Sequence, residues 1–119
     1  MYRIEELSAR RVLVTGASSG IGAAVIEAFA QQGASVALHF HANGGAAQQV
    51  AQRIRDAGGS VVTVQGDLAG AGSAKRIVEE SAQALGGLDI LVNNAGSLVE
   101  RRPILASDDA LVDAIFDLN

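Results

Sequence analysis

The stretch Arg11-Val-Leu-Val-Thr-Gly-Ala-Ser-Ser-Gly-Ile-Gly22 decides the fold. Arg11–Thr15 is a short β-rich apolar run, and Thr15-Gly-Ala-Ser-Ser-Gly-Ile-Gly22 is a glycine-rich turn that opens a helix. A helix N-terminus presents unpaired N–H groups and a partial positive charge, which makes it a seat for a pyrophosphate. Gly16 allows the tight turn out of the strand, Gly20 lets backbone approach the ligand, and Gly22 lets the helix pack close to the strand. Ser18 and Ser19 add hydroxyl donors. The spacing is Gly-x3-Gly-x-Gly, and no Lys-Ser/Thr follows the last glycine, which excludes a P-loop nucleotide hydrolase.

Working outward, three more apolar runs follow: Ser35–Phe40, Ser60–Gln65 and Leu88-Asp-Ile-Leu-Val92. Runs of this kind bounded by glycine read as strands buried on both faces, as in a parallel sheet. Between them lie helical periods. Ile21, Val25, Ala28 and Phe29 form one predicted stripe, and Ala47, Val50, Ala51 and Ile54 a second. Ile77, Val78, Ser81, Ala84 and Leu85 form a third, and Leu111, Ala114, Ile115 and Leu118 a fourth. Gly33, Gly58-Gly59 and Gly86-Gly87 stop the first three helices. The order is β-α-β-α-β-α-β-loop-α, and right-handed crossovers make the strands parallel with helices on both faces. The expectation is an α/β, Rossmann-type doubly wound sheet of strand order 3-2-1-4, with strand four as an open edge.

The composition sets the outer limits. The chain has 119 residues, 49% of them hydrophobic and 18% charged, with a formal net charge of −4. A chain of this size buries roughly 65% of its unfolded surface, enough for a core. The negative balance argues against nucleic acid and against an anionic membrane surface as partners. Without cysteine there is no disulfide frame and no thiol nucleophile. His39 and His41, two apart on a predicted strand, are the only imidazoles, and a zinc pair there is the less favoured reading, so no metal is expected. No apolar run reaches the length of a membrane span. The first residues carry acids where a signal peptide needs an apolar stretch, so a cytoplasmic protein is expected.

Three motifs occur together: Thr15-Gly-Ala-Ser-Ser-Gly-Ile-Gly22, Gly66-Asp67-Leu68 after strand three, and Asn93-Asn-Ala-Gly96 after strand four. In this order and at these intervals they resemble the short-chain dehydrogenase/reductase family, in its short, single-domain branch. The resemblance covers essentially all of residues 1–119, as the N-terminal, NAD(P)-binding part of a Rossmann domain. It implies that Gly16, Gly20, Ile21 and Gly22 hold a cofactor pyrophosphate, with Thr15 steadying the turn. It implies that Asp67 accepts from the adenine amine and that Leu68 lies against the ring. A cap after strand three is a second, compatible role for Asp67. Ala95 and Gly96 leave room for a ribose. Asn93 and Asn94 contact the cofactor or tie neighbouring strand ends together.

The cofactor choice turns on the end of strand two. Relatives that use NAD place an acid there, whereas this chain has Phe40, then His41, Ala42 and Asn43, with no acid between Gly33 and Asp56. His41, Asn43 and Ser18 can donate to a 2′-phosphate, so NADP is expected, with NAD as the alternative. A solvated turn residue is the plain reading of His41. Glu100, Arg101 and Arg102 read as a solvated charged loop or as a handle for an anionic substrate.

The resemblance also implies hydride transfer between nicotinamide and a small-molecule carbonyl or secondary alcohol, in the manner of the 3-oxoacyl reductases or a similar oxidoreductase, in a homo-oligomer (a tetramer or dimer). The family's chemistry uses a Ser, a Tyr-x-x-x-Lys and an assisting Asn. Asn119 matches that Asn, but Tyr2 and Lys75 are the only Tyr and Lys and cannot form the motif. Residues 1–119 are therefore expected to be the cofactor half of a longer protein and to be inactive alone. A non-catalytic dinucleotide-binding module or a scaffold is the alternative.

Overall fold

A computed structural model describes residues 7–94 and 101–103. The strands are β1 (Arg11–Val14), β2 (Ser35–Phe40), β3 (Ser60–Gln65), β4 (Ile90–Val92) and β5 (Arg101–Pro103). The helices are α1 (Gly20–Gln31), α2 (Gly44–Asp56) and α3 (Ser73–Leu85). The sheet order is β3-β2-β1-β4-β5. β1 lies parallel to β2 from Arg11↔Ser35 to Val14↔Leu38, and parallel to β4 from Val12↔Ile90 to Val14↔Val92. β2 and β3 are parallel from Ser35↔Ser60 to Phe40↔Gln65. The expected 3-2-1-4 arrangement is thus present, with helices on both faces.

The pleat explains the continuous apolar runs. Val12, Val14, Val36 and Leu38 join Ile26, Phe29, Val50 and Ile54 in one core, under α1 and α2. Leu13, Ala37 and Leu91 face the other way, into a second core with Ile77 and Val78 of α3. Truncating a side chain such as Leu13, 0% exposed, to alanine removes about 2–5 kcal/mol of stability. Ser81 sits on the buried stripe of α3 because its hydroxyl donates to the Ile77 carbonyl at 2.7 Å.

Where β1 and β4 begin, the carboxylate of Asp89 ties them together. Asp89 Oδ2 accepts from Arg11 Nε at 3.0 Å and from the Arg11 backbone N–H at 2.9 Å, and Oδ1 accepts from Arg11 Nη2 at 3.2 Å. These bonds to Arg11 hold the Asp89 carboxyl below its ordinary range, against an opposing contribution from burial.

Four expectations need correction. β4 is not an edge: β5 pairs with it antiparallel, from Ile90↔Pro103 to Val92↔Arg101. Arg101 and Arg102 therefore lie in a strand rather than a loop, and Pro103, lacking an N–H, is tolerated because β5 is the outermost of the described strands. The buried face of α1 is Gly22, Ala23, Ile26 and Phe29, and Ile21 is 69% exposed. Almost every residue of this helix is small or apolar, so periodicity alone does not choose its face. In α3, Ala84 is exposed. The predicted stripe of α2 is the buried one. The fourth stripe, Leu111 to Leu118, lies outside the described residues.

Candidate functional site at the carboxyl ends of the strands

The carboxyl ends of β1, β2, β3 and β4 bring the three motifs together. Leaving β1, the chain turns through Gly16 at φ 62° and enters α1 through Gly20 at φ 60°, both in the left-handed region that favours glycine. Ser19 is the N-cap residue, extended, and its hydroxyl makes no cap bond. The first turn of α1 holds no acid. A Cβ built on Gly20 would meet nothing within 4 Å, so this backbone faces open space. Ser18 is half-buried, and Ser19 and Ile21 are exposed.

Neighbouring strand ends hold the turn. The Thr15 hydroxyl, fully buried, accepts the Asn94 backbone N–H at 2.9 Å and bonds Asn93 Oδ1 at 3.1 Å. Asn94 Nδ2 donates to the Gly16 carbonyl at 3.1 Å. Gly22 packs directly beneath: a Cβ there would collide with the Gly16 carbonyl and lie 2.6 Å from Asn94 Nδ2. Asn93 is buried and Asn94 half-buried. Both asparagines thus act as ties between β1 and β4, one of the two readings open from the sequence.

At the end of β2, Phe40 is 7% exposed and belongs to the core above α2. His41 is solvent-facing, with Nε2 3.8 Å from Asp67 Oδ2. Asn43 is the N-cap residue of α2, exposed and without a side-chain cap bond. Asp67 Oδ1 accepts the Ala69 N–H at 2.9 Å, closing an Asx turn. The cap residue of α3 is Gly72, so Asp67 caps this turn and not the helix. Leu68 is partly buried against the α3 core. Thr15, Gly16, Ser18, Ser19, Gly20, Ile21, Gly22, His41, Asn43, Asp67, Leu68, Asn93 and Asn94 therefore gather at one end of the sheet. Ala95, Gly96 and Asn119 lie outside the described residues.

Sequence reasoning missed His39. It is 2% exposed, and both ring nitrogens are engaged: the Gly16 N–H donates to Nδ1 at 3.1 Å, and Nε2 lies 2.8 Å from the Gly66 carbonyl. His39 therefore has no ring nitrogen left for a metal. The available signal was a lone polar residue inside Val36-Ala-Leu-His-Phe40, because a buried polar side chain demands partners.

An open helix N-terminus beside a topological switch in a parallel sheet is a dinucleotide-binding arrangement. Comparison with known proteins agrees. Residues 10–119 match the profile of the short chain dehydrogenases, and the chain belongs to that family. It is 38% identical over 116 residues to an uncharacterised oxidoreductase of Methylorubrum extorquens, covering 98% of this chain and 46% of that protein. It is 39% identical over 90 residues to an L-rhamnose 1-dehydrogenase (NAD(P)(+)) of Sphingomonas, covering 76% of this chain and 35% of that one. A Burkholderia cenocepacia short chain dehydrogenase solved in complex with NADP is similar at 43% identity and TM-score 0.72, over 75% of this chain and 36% of that one. The chain thus spans between a third and a half of the length of these relatives. Among the described residues, no helix is long and apolar enough to cross a membrane.

Proposed function

We propose that residues 1–119 form the cofactor-binding half of an NADP-dependent oxidoreductase that moves a hydride between the nicotinamide and a small carbonyl compound or secondary alcohol. The observation that carries this reading is the open seat at Gly20, where left-handed backbone faces free space at the start of a helix with no acid in its first turn. The residues fit the cofactor. The N–H groups from Gly20 to Gly22 and the Ser18 and Ser19 hydroxyls serve its pyrophosphate, and Asp67 and Leu68 border its adenine. The acid-free end of β2, with His41 and Asn43 exposed, accepts a 2′-phosphate. When bound, the cofactor supplies the hydride donor or acceptor. The chain's own residues bind and orient it.

Thr15, Asn93 and Asn94 shape the seat from below, and Ala95, Gly96 and Asn119 carry the roles that the family resemblance implies. In the full-length protein, Gly20→Val should abolish NADP binding in calorimetry while the far-ultraviolet circular dichroism stays native. Unchanged affinity would remove the pyrophosphate assignment.

A further inference from the structure

We infer that His39 is a positioning residue that sets the shape of the pyrophosphate turn, and that it does so only as a neutral imidazole carrying its proton on Nε2. The inference rests on the dinucleotide reading of the site. Its basis is a bridge across three strands. From β2, the His39 ring spans the turn after β1 through Gly16 and the turn after β3 through Gly66. The backbone supports the same junction: the Ala17 N–H donates to the His39 carbonyl at 2.9 Å, and the Gly66 N–H donates to the Phe40 carbonyl at 3.1 Å.

The donor and acceptor pattern fixes the tautomer. The Gly16 N–H can only donate, so Nδ1 must be the acceptor. The Gly66 carbonyl can only accept, so Nε2 must carry the hydrogen. An imidazolium would turn an N–H of its own against the Gly16 N–H. Gly16 sits at φ 62° and its carbonyl is already held by Asn94, so a displaced Gly16 amide reorients the turn that leads to Gly20.

The surroundings favour the neutral form. Burial lowers the affinity of His39 for a proton, the hydrogen bond to Gly66 opposes this, and the nearby His41 and Arg76 lower it further. These two are the side chains whose charge acts on the ring among the described residues. Asp67, across the turn after β3, lies instead by His41. The contribution of neutral His39 is present above the ordinary imidazole value of about 6.5 and is lost as pH falls through the lower folded-state value.

The test uses the full-length protein and NADP, with affinity measured by calorimetry from pH 8 to pH 5 for wild type, His39→Gln and His39→Leu. Glutamine can reproduce the donor and the acceptor but does not titrate. Wild type should lose affinity as the pH drops, and His39→Gln should bind within about threefold of wild type at pH 8 and lose less on acidification. His39→Leu, which strands the part-buried Gly16 N–H and Gly66 carbonyl, should bind about tenfold more weakly or worse at every pH. The 2′-phosphate is common to wild type and His39→Gln, so the difference between their profiles belongs to His39. Nitrogen NMR of the wild-type imidazole should show the Nε2–H form at pH 8, and the Gly16 amide should lose protection against exchange, relative to its intrinsic rate, at low pH. An acid limb of equal depth in wild type and His39→Gln, or an Nδ1–H ring at pH 8, overturns the inference. Absence of NADP binding by wild type at pH 8 overturns the dinucleotide reading instead, and the NMR result still decides the bridge.

Discussion

The Thr15 hydroxyl accepts the backbone N–H of Asn94 at 2.9 Å across the carboxyl ends of β1 and β4. One buried side chain thereby joins the glycine turn to the Asn93-Asn94 segment. Thr15→Val keeps the shape and removes the oxygen, leaving the Asn94 N–H without that partner. Stability should fall by about 2 kcal/mol in urea denaturation, with Thr15→Ser restoring most of it. An unchanged midpoint for Thr15→Val would show that the tie carries no stability.

Gly20 and Gly22 should fail differently. At Gly22 an added methyl meets the Gly16 carbonyl and Asn94 Nδ2, so Gly22→Ala should cost about 1–3 kcal/mol and distort the turn. At Gly20 the methyl enters open space, and only the φ of 60° is costly, about 1–2 kcal/mol. Gly20→Ala should therefore stay folded yet bind dinucleotide poorly. Gly45→Ala, in an exposed position with nothing within 4 Å, should gain about 0.5 kcal/mol and bind normally. Thermal denaturation and calorimetry on the three variants separate these outcomes.

Asp89 sets an acid limit on the fold. Its carboxyl is held below the ordinary range by Arg11, so in acid the unfolded chain takes up its proton first. The stability it contributes is present above the unfolded value of about 3.9 and is lost as pH falls through the lower folded value. Asp89→Asn should flatten the stability profile between pH 4 and pH 2 in chemical denaturation. A profile parallel to wild type would assign the acid sensitivity elsewhere.

Much of this architecture is legible in the sequence, for definite physical reasons. β1, β2 and β3 are apolar on both faces, and the stripe of α2 alternates sharply with polar residues, so pattern and burial agree. α1 is small or apolar at almost every position, and its face is chosen by Gly22 packing under Gly16, a tertiary contact. β5 is hidden because Arg101-Arg102-Pro103 has no strand signature, and its pairing is supplied by the free edge of β4. The glycine turn and the acid-free end of β2 were readable, whereas the His39 bridge depends on the register of three strands and was not.

His41 should discriminate between the cofactors. It is exposed beside Asp67 at the end of β2, the place that the proposed function gives to a 2′-phosphate. On the proposed reading, His41→Ala should weaken NADP binding several-fold and leave NAD binding unchanged, because only NADP carries a 2′-phosphate. Equal weakening of both would place His41 outside the 2′-phosphate site.

The central claim is that the Thr15–Gly22 turn and the acid-free end of β2 together make a seat for NADP. Calorimetric titration of the full-length protein with NADP and with NAD, under identical buffer and salt, tests it most directly. The account predicts that NADP binds about tenfold more tightly or better, the worth of one charge-assisted hydrogen bond to the 2′-phosphate. Equal or tighter binding of NAD would contradict the assignment at His41, and binding of neither would contradict the site itself.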